Sequence, residues 1–354
     1  MDERLAFLRQ EPPSESPLSC SFIHQAPYAS GEVELNYWPP KRGTSLPPDH
    51  LILFILGNPG LLGYYPPFLT HLHRSLPESH AILATSHIGH SVNVPSPKEP
   101  LDLPQQLESK IELVESLREY LDNWSEESGQ SSSNPRISLM GHSVGAWLSC
   151  EIMKRLNKRD NPKEWPVSSG YLLFPTLGWI SNTWNGWTLW PIFRRPVKPL
   201  LPLLSPLLRP ILPFTSLPST SLSLVKSPEV IKHVLHLSRS EMDLIRDLDL
   251  DWFDSQRLDD DNQRGLFGVW ADNNMDGWVG KDGPLVQDAL GWEEGGRVKM
   301  LEGVPHAFCL TQENSEIVAE VVAKWINPSS ENDQAKATFK TGQKDPLGAD
   351  IIPM

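Results

Sequence analysis

The sequence predicts an α/β fold: a mostly parallel sheet with helices on both faces and a segment inserted late in the chain. Three observations lead there. Short apolar runs closed by turn residues alternate with segments whose apolar residues recur at helical spacing; one strand-to-helix junction carries Gly-x-Ser-x-Gly; and a stretch crowded with Pro, Leu and Trp breaks the alternation once. Strands that alternate with helices pair in parallel and are covered on both faces. Such strands therefore read as continuous apolar runs.

The first run, Leu51-Ile52-Leu53-Phe54-Ile55-Leu56, stops at Gly57-Asn58-Pro59-Gly60. A helix is expected near Pro67-Phe68-Leu69, then a second strand at 81–84. Leu107, Ile111, Val114, Leu117 and Leu121 give an amphipathic helix. Residues 136–140 read as a strand, followed after Gly141 to Gly145 by a helix through Trp147, Leu148 and Ile152. A strand at 170–174 is stopped by Pro175, two more are expected at 266–270 and 298–301, and the last helix lies around 317–325. The expected organisation is an N-terminal extension (1–19), a core (20–176), an inserted cap (177–264), the rest of the core (265–327) and a mobile tail (328–354) without periodicity. No internal repeat or heptad pattern is present.

Composition narrows the function classes. The 354 residues carry 31 Lys and Arg against 44 Asp and Glu, a net charge of -13. An acidic surface repels phosphate backbones, so nucleic acid is not an expected partner. Three cysteines make no disulfide framework and fit a reducing compartment. The start, Met1-Asp2-Glu3-Arg4, lacks the basic and apolar regions of a secretory signal, so export is not expected. Residues 165–193 are uncharged but studded with Ser, Asn, Gly and Pro, so a membrane-spanning helix is not expected either.

Gly141-His142-Ser143-Val144-Gly145 lies between an expected strand and an expected helix, and that context gives the motif its meaning. A sharp turn there exposes the serine, and glycines on both sides let neighbouring backbone approach. Ser143 needs a base, because its hydroxyl is barely ionised at neutral pH. A loop histidine is ordinarily a solvated side chain. His306, however, is the one histidine after the last expected strand, and the chain order Ser, acid, His suits this fold. The acid should follow the 266–270 strand, where Asp272 and Asp276 both qualify to hold the imidazole's tautomer. The oxyanion donors are expected from the backbone N–H of Val144, after the nucleophile, and that of Asn58, in the loop after the first strand. No metal or cofactor is expected: His87 and His90 have H-x-x-H spacing, but nothing completes a ligand set, so they read as loop chemistry.

Many of the chain's 34 prolines crowd between Pro191 and Pro218, with Leu and Ile between them, downstream of Trp179, Trp184, Trp187 and Trp190. Prolines at that density forbid one straight helix. Arg194, Arg195, Lys198 and Arg209 add positive charge. Apolar wedges, interfacial tryptophans and local basicity suit contact with a lipid surface. Trp187, Trp190, Leu200, Leu203, Leu207 and Ile211 are the candidate contacts; the plainer alternative is a lid that buries these residues over the cleft.

Together these residues resemble the lipid-droplet-associated serine hydrolase family of the α/β-hydrolase superfamily. The resemblance runs from about His50 to Asn327. It rests on Leu56-Gly57-Asn58-Pro59-Gly60 with Tyr64-Tyr65 and Phe68, on Gly141 to Ala146, on Leu173-Phe174-Pro175-Thr176, and on Asn185-Gly186, Asp276-Gly277-Trp278 and His306-Ala307-Phe308. It implies an α/β-hydrolase fold and the triad Ser143, Asp276 and His306, since the family's acid stands in an Asp-x-Trp context. It also implies attachment to lipid droplets and to the cytosolic face of the endoplasmic reticulum through the middle region, and neutral-lipid esters (sterol esters or acylglycerols) as substrates. A droplet-organising or tethering protein with vestigial hydrolysis, and a soluble esterase with an internal cap, are the other readings. Epoxide and haloalkane hydrolysis are disfavoured, because those chemistries use an aspartate where Ser143 stands.

Overall fold

The computed structural model describes residues 2–11, 16–129, 135–157, 164–208, 218–258, 263–272, 276–280, 282–292 and 296–328; the side chains of 207 and 208 lie outside that description, as does the segment 329–354 expected to be a mobile tail. One sheet organises the chain. Its strands are β1 (Leu18–Ala26), β2 (Ala29–Trp38), β3 (His50–Ile55), β4 (His80–Thr85), β5 (Arg136–His142), β6 (Ser169–Leu173), β7 (Gly265–Ala271) and β8 (Val298–Leu301). They lie in the order β1-β2-β4-β3-β5-β6-β7-β8. The pairs from β4 to β8 are parallel, whereas β2 runs antiparallel to β4 and β1 antiparallel to β2.

Every expected strand forms, and the apolar runs form because both faces are covered. Leu51, Leu53 and Ile55 of β3 pack with α2 (Leu103–Glu127) and α3 (Val144–Leu156), while Ile52 and Phe54 pack on the opposite face with α1 (Pro66–Ser75) and α10 (Gln312–Ile326). The period of two along the strand divides one apolar run between two cores. Local chemistry sets where the helices begin. Pro66 and Pro67 open α1, where a missing N–H costs nothing. Asp102 and Gln105 close a reciprocal capping box on α2, and Thr311 caps α10.

The hairpin β1–β2 was not expected. In β1 only Phe22, His24 and Ala26 are buried, and in β2 the inward set Val33, Leu35 and Tyr37 is separated by Glu34 and Asn36. That is the alternation of an edge hairpin with one wet face, diluted below an apolar run. Within the described residues 2–11, Leu5 and Leu8, on a 3₁₀ turn at Glu3–Arg9, are buried in the main core.

Between β6 and β7 stand α4 (Trp184–Leu189), α5 (Val197–Leu204), α6 (Ser219–Val225), α7 (Pro228–Leu244) and α8 (Leu250–Ser255); α9 (Gly283–Ala289) follows β7. The prolines keep the first pieces short, with Pro202 inside α5. Among the described residues no helix is long and apolar enough to cross a membrane. The loops after β3, β5, β7 and β8 all leave the carboxyl edge of the parallel sheet, where open α/β sheets gather their chemistry.

Because Leu8 is 1 % exposed within the main core, Leu8→Ala should lower stability by about 2–5 kcal/mol. A urea titration should show that loss as a lower midpoint at unchanged slope; a midpoint equal to wild type would detach this segment from the core.

Candidate active site

The site is built around one strained residue. Ser143 joins β5 to α3 at φ 55° and ψ -122°, a backbone region that non-glycine residues hold only when their surroundings enforce it. The enforcement is visible on both sides. A Cβ on Gly141 would lie 2.2 Å from the Gly145 carbonyl oxygen, and one on Gly145 would lie 2.1 Å from that of Ile55. The two glycines thus let the helix start fold directly onto β3. Ser143 N–H donates to the Leu173 carbonyl at 3.0 Å, which ties the turn to β6.

The loops after β7 and β8 bring an acid and an imidazole to the serine. His306 Nε2 stands 3.0 Å from Ser143 Oγ, and its Nδ1 stands 2.5 Å from Asp276 Oδ2. The Asp276 side chain is 1 % exposed, and its Oδ1 accepts from Trp278 N–H at 2.8 Å. One carboxylate oxygen therefore fixes its own turn while the other faces the imidazole. Of the two aspartates open at the sequence level, Asp276 makes this contact. With Nδ1–H donated to the carboxylate, Nε2 is left as an acceptor that can take the proton of Ser143.

A third loop, Leu56 to Gly60, lies against the serine: a Cβ on Gly57 would be 3.0 Å from Ser143 Cβ. His87 Nε2–H donates to the Leu56 carbonyl at 2.9 Å, and His90 Nδ1–H donates to that of Pro59 at 2.8 Å. Burial drives both imidazoles toward the neutral form, His90 down to about 3. Each ring thus has one N–H, and it is spent on the loop. Among the described residues no group of His, Cys, Asp and Glu is arranged to hold a metal. The Asn58 side chain points to α7, with Nδ2 donating to Glu241 Oε1 at 2.7 Å and to Ser238 Oγ at 2.8 Å. Its backbone N–H has no acceptor among the described residues. Val144, as the first residue of α3, has no carbonyl for its N–H within the helix. Neither of the two expected oxyanion donors is thus spent on a backbone carbonyl among the described residues.

Sequence reasoning missed the residues behind the serine. Gly57 N–H donates to Tyr65 Oη at 3.3 Å, Tyr65 O–H donates to His142 Nδ1 at 2.8 Å, and His142 Nε2–H donates to the His306 carbonyl at 2.9 Å. Burial holds His142 neutral, its pKa down to about 3, which leaves it the one donor and one acceptor this chain requires. The available signals were Tyr65 beside Tyr64 and the histidine inside Gly-x-Ser-x-Gly. Glu241 was also missed; burial pushes its carboxyl up to about 7, opposed by the Asn58 hydrogen bond.

Above Ser143 and His306 opens a cavity of about 440 Å³ walled by Ile180, Leu189, Phe193, Leu224 and Met242. It can take an aliphatic chain with the reacting carbon at its floor. Outside, Trp184 and Leu203 are each 72 % exposed and Trp187 is 70 % exposed, with Trp190, Leu200 and Leu204 exposed beside them. Arg194 lies 3.9 Å over the Trp190 ring. Ile211 and the Leu207 side chain fall outside the described residues.

Comparison with known proteins follows the same lines. The profile of a family described as lipid-droplet associated hydrolase matches residues 48–309. A mouse lipid droplet-associated hydrolase is 29 % identical over 307 residues, covering 79 % of this chain and 85 % of that protein. The rat protein of the same description is 31 % identical over 148 residues, covering 41 % and 43 %. Among solved structures, a haloalkane dehalogenase of Bradyrhizobium elkani superposes with a TM-score of 0.59 at 12 % identity, over 89 % of this chain and all (100 %) of that one. A bacterial membrane phospholipase A superposes with a TM-score of 0.55 at 12 % identity, over 88 % of each chain. These likenesses establish an α/β-hydrolase fold.

The Glu241 carboxyl, raised from 4.5 to about 7, is preferred neutral by the folded state. Its contribution to stability is complete below pH 4.5 and is lost as pH rises through 7, by about 3 kcal/mol in all. Relative to Glu241→Gln, the wild type should lose about 2 kcal/mol between pH 5 and pH 8 in chemical denaturation; parallel pH profiles for the two proteins would refute the buried carboxyl.

Proposed function

The chain belongs to the lipid-droplet associated hydrolase family, and we propose that it cleaves neutral-lipid esters by an acyl-enzyme mechanism carried on Ser143, His306 and Asp276. One observation carries the reading: an acid–imidazole–hydroxyl chain at 2.5 Å and 3.0 Å ends on a strained serine at the floor of an apolar cavity.

In this reading Ser143 Oγ attacks the ester carbonyl carbon while His306 Nε2 takes its proton. The oxygen, now negative, is held by the N–H groups of Asn58 and Val144, each worth about 3 kcal/mol at a typical oxyanion site. Collapse breaks the ester C–O bond, and His306 returns the proton to the departing alcohol. Water then enters and attacks the acyl carbon while giving a proton to the same imidazole; collapse breaks the bond to Ser143 Oγ, which takes that proton back from His306 as the acid leaves. Asp276 keeps the ring oriented and stabilises its charged form throughout.

The substrate class follows from the walls. The cavity's Leu, Ile, Phe and Met side chains reward an acyl chain, and among the described residues its walls carry no Lys or Arg for an anionic head group, which favours sterol esters and acylglycerols over anionic lipids. Of the fifteen large apolar side chains exposed among the described residues, six fall between Trp184 and Leu204. Such a concentration is the feature of a face that docks on lipid. Lipid droplets and the cytosolic face of the endoplasmic reticulum are the surfaces this reading assigns. That face also favours a second role, as a droplet-organising protein, because none of its exposed side chains belongs to the triad.

Purified protein should hydrolyse a short-chain aryl ester and carry a fluorophosphonate label. Ser143→Ala should abolish both, and Asp276→Asn should lower kcat by about 10⁴-fold, whereas Asp272→Asn should not. Labelling that survives Ser143→Ala would end the reading. Wild-type protein should float with triolein droplets coated in phosphatidylcholine, and replacing Trp184, Trp187 and Leu203 by Ser should leave it in the aqueous fraction with aryl-ester hydrolysis retained. Equal flotation of the two would remove the lipid-docking face.

A further inference from the structure

Glu241 lies in the cavity yet has no part in the acyl-transfer scheme. It is 7 % exposed and stands on α7, in the segment inserted between β6 and β7. Val234, Ser238 and Glu241 recur on one face of that helix. All three present an acceptor to Asn58 Nδ2, the Val234 carbonyl at 3.3 Å and the other two closer. The amide has two N–H donors for three converging acceptors, so its direction is over-determined. Turning it over would set its oxygen against the Val234 carbonyl, which can only accept. The amide oxygen Oδ1 is instead buried with no partner among the described residues. An orphaned acceptor is tolerated so that the donors stay on α7, which marks this contact as the dominant one.

The rest of the loop is held from the hydrolase core: Leu56 by His87, Gly57 by Tyr65 and Pro59 by His90. Asn58 is gripped by its side chain from the inserted segment. The peptide plane that carries its N–H follows Gly57, the residue type with the widest backbone freedom. We propose that Glu241, seconded by Ser238, is a positioning residue for the oxyanion donor: by holding the Asn58 side chain, α7 fixes the Gly57–Asn58 peptide so that the N–H faces the oxygen that becomes negative. The inference rests on the reading of Ser143 as nucleophile and deepens it. Its consequence is that the position of the inserted helices governs the chemical step rather than the binding of substrate. Misplacing a catalytic donor by about 1 Å costs up to ~100-fold in rate.

The test uses the full chain and a soluble aryl ester. Glu241→Leu should lower kcat by about 10- to 100-fold with KM within about twofold of wild type, and Glu241→Gln, which keeps an acceptor for Asn58, should restore most of it. Asn58→Ala should lose as much as Glu241→Leu, and the two combined should lose no more than either alone. Ser238→Ala, a small change in case Glu241→Leu folds poorly, should show a weaker loss of the same kind. Hydrogen exchange of the peptide over residues 56–61, measured on a Ser143→Ala background, should quicken with Glu241→Leu. That readout needs no turnover, so it separates failure of the positioning role from failure of the hydrolase reading. A Glu241→Leu enzyme with wild-type kcat, a Gln variant as slow as the Leu variant, multiplicative losses in the double variant, or unchanged exchange would each overturn the proposal.

Discussion

Everything at the site depends on how closely the start of α3 is pressed onto β3. Gly145 sits so near the Ile55 carbonyl that a methyl group would not fit, and that contact forces the backbone of Ser143 out of its relaxed range. The strain is balanced by ties on either side, from Ser143 to β6 and from the glycines to β3 and β5. The result is a hydroxyl that cannot retreat into the turn and a helix N-terminus aimed at the same space. A looser junction would keep every residue of the motif and lose the alignment.

Around that point the protein uses neutral histidines as fixed connectors. His87, His90 and His142 are buried deeply enough that the charged form is disfavoured, and each places its single N–H on a backbone carbonyl. Two of those carbonyls belong to the loop of Asn58, and the third is that of His306. The loop of Asn58 and the loop of His306 are therefore joined behind Ser143 through Tyr65 and His142. His306 differs: partly open to the cavity, it pairs with Asp276 on one side and meets Ser143 on the other. The division follows from burial: the same side chain is a strut where it is dry and, in the proposed reading, a base where the cleft reaches it.

Much of this was legible in the sequence because the physics was local. Strands buried on both faces must be apolar throughout, so residues 51–56 and 266–270 declared themselves, and the elbow motif between a strand and a helix located Ser143. His306 followed from chain order. Long-range contacts were not legible. Chain order alone left Asp272 and Asp276 open, since which turn residue meets the imidazole is a matter of loop shape; the Asp-x-Trp context of the family resemblance pointed to Asp276, which makes the contact. Tyr65 and His142 are 77 positions apart, and Asn58 and Glu241 are 183 apart; nothing in either neighbourhood announces the other. The β1–β2 hairpin escaped notice because a strand with one wet face mixes Glu, Asn and Gly into its apolar set. Leu5 and Leu8 escaped because two leucines in a short polar segment reveal no period.

The central claim is that Ser143 carries an acyl group through its partnership with His306. The direct measurement is the intact mass of protein quenched during turnover of a slow ester, followed by mapping of the adduct. One acyl group on the peptide containing Ser143, formed at a rate that His306→Ala lowers by several orders of magnitude, is the predicted result. Turnover without any adduct, an adduct on another residue, or acylation at the wild-type rate in His306→Ala would contradict it.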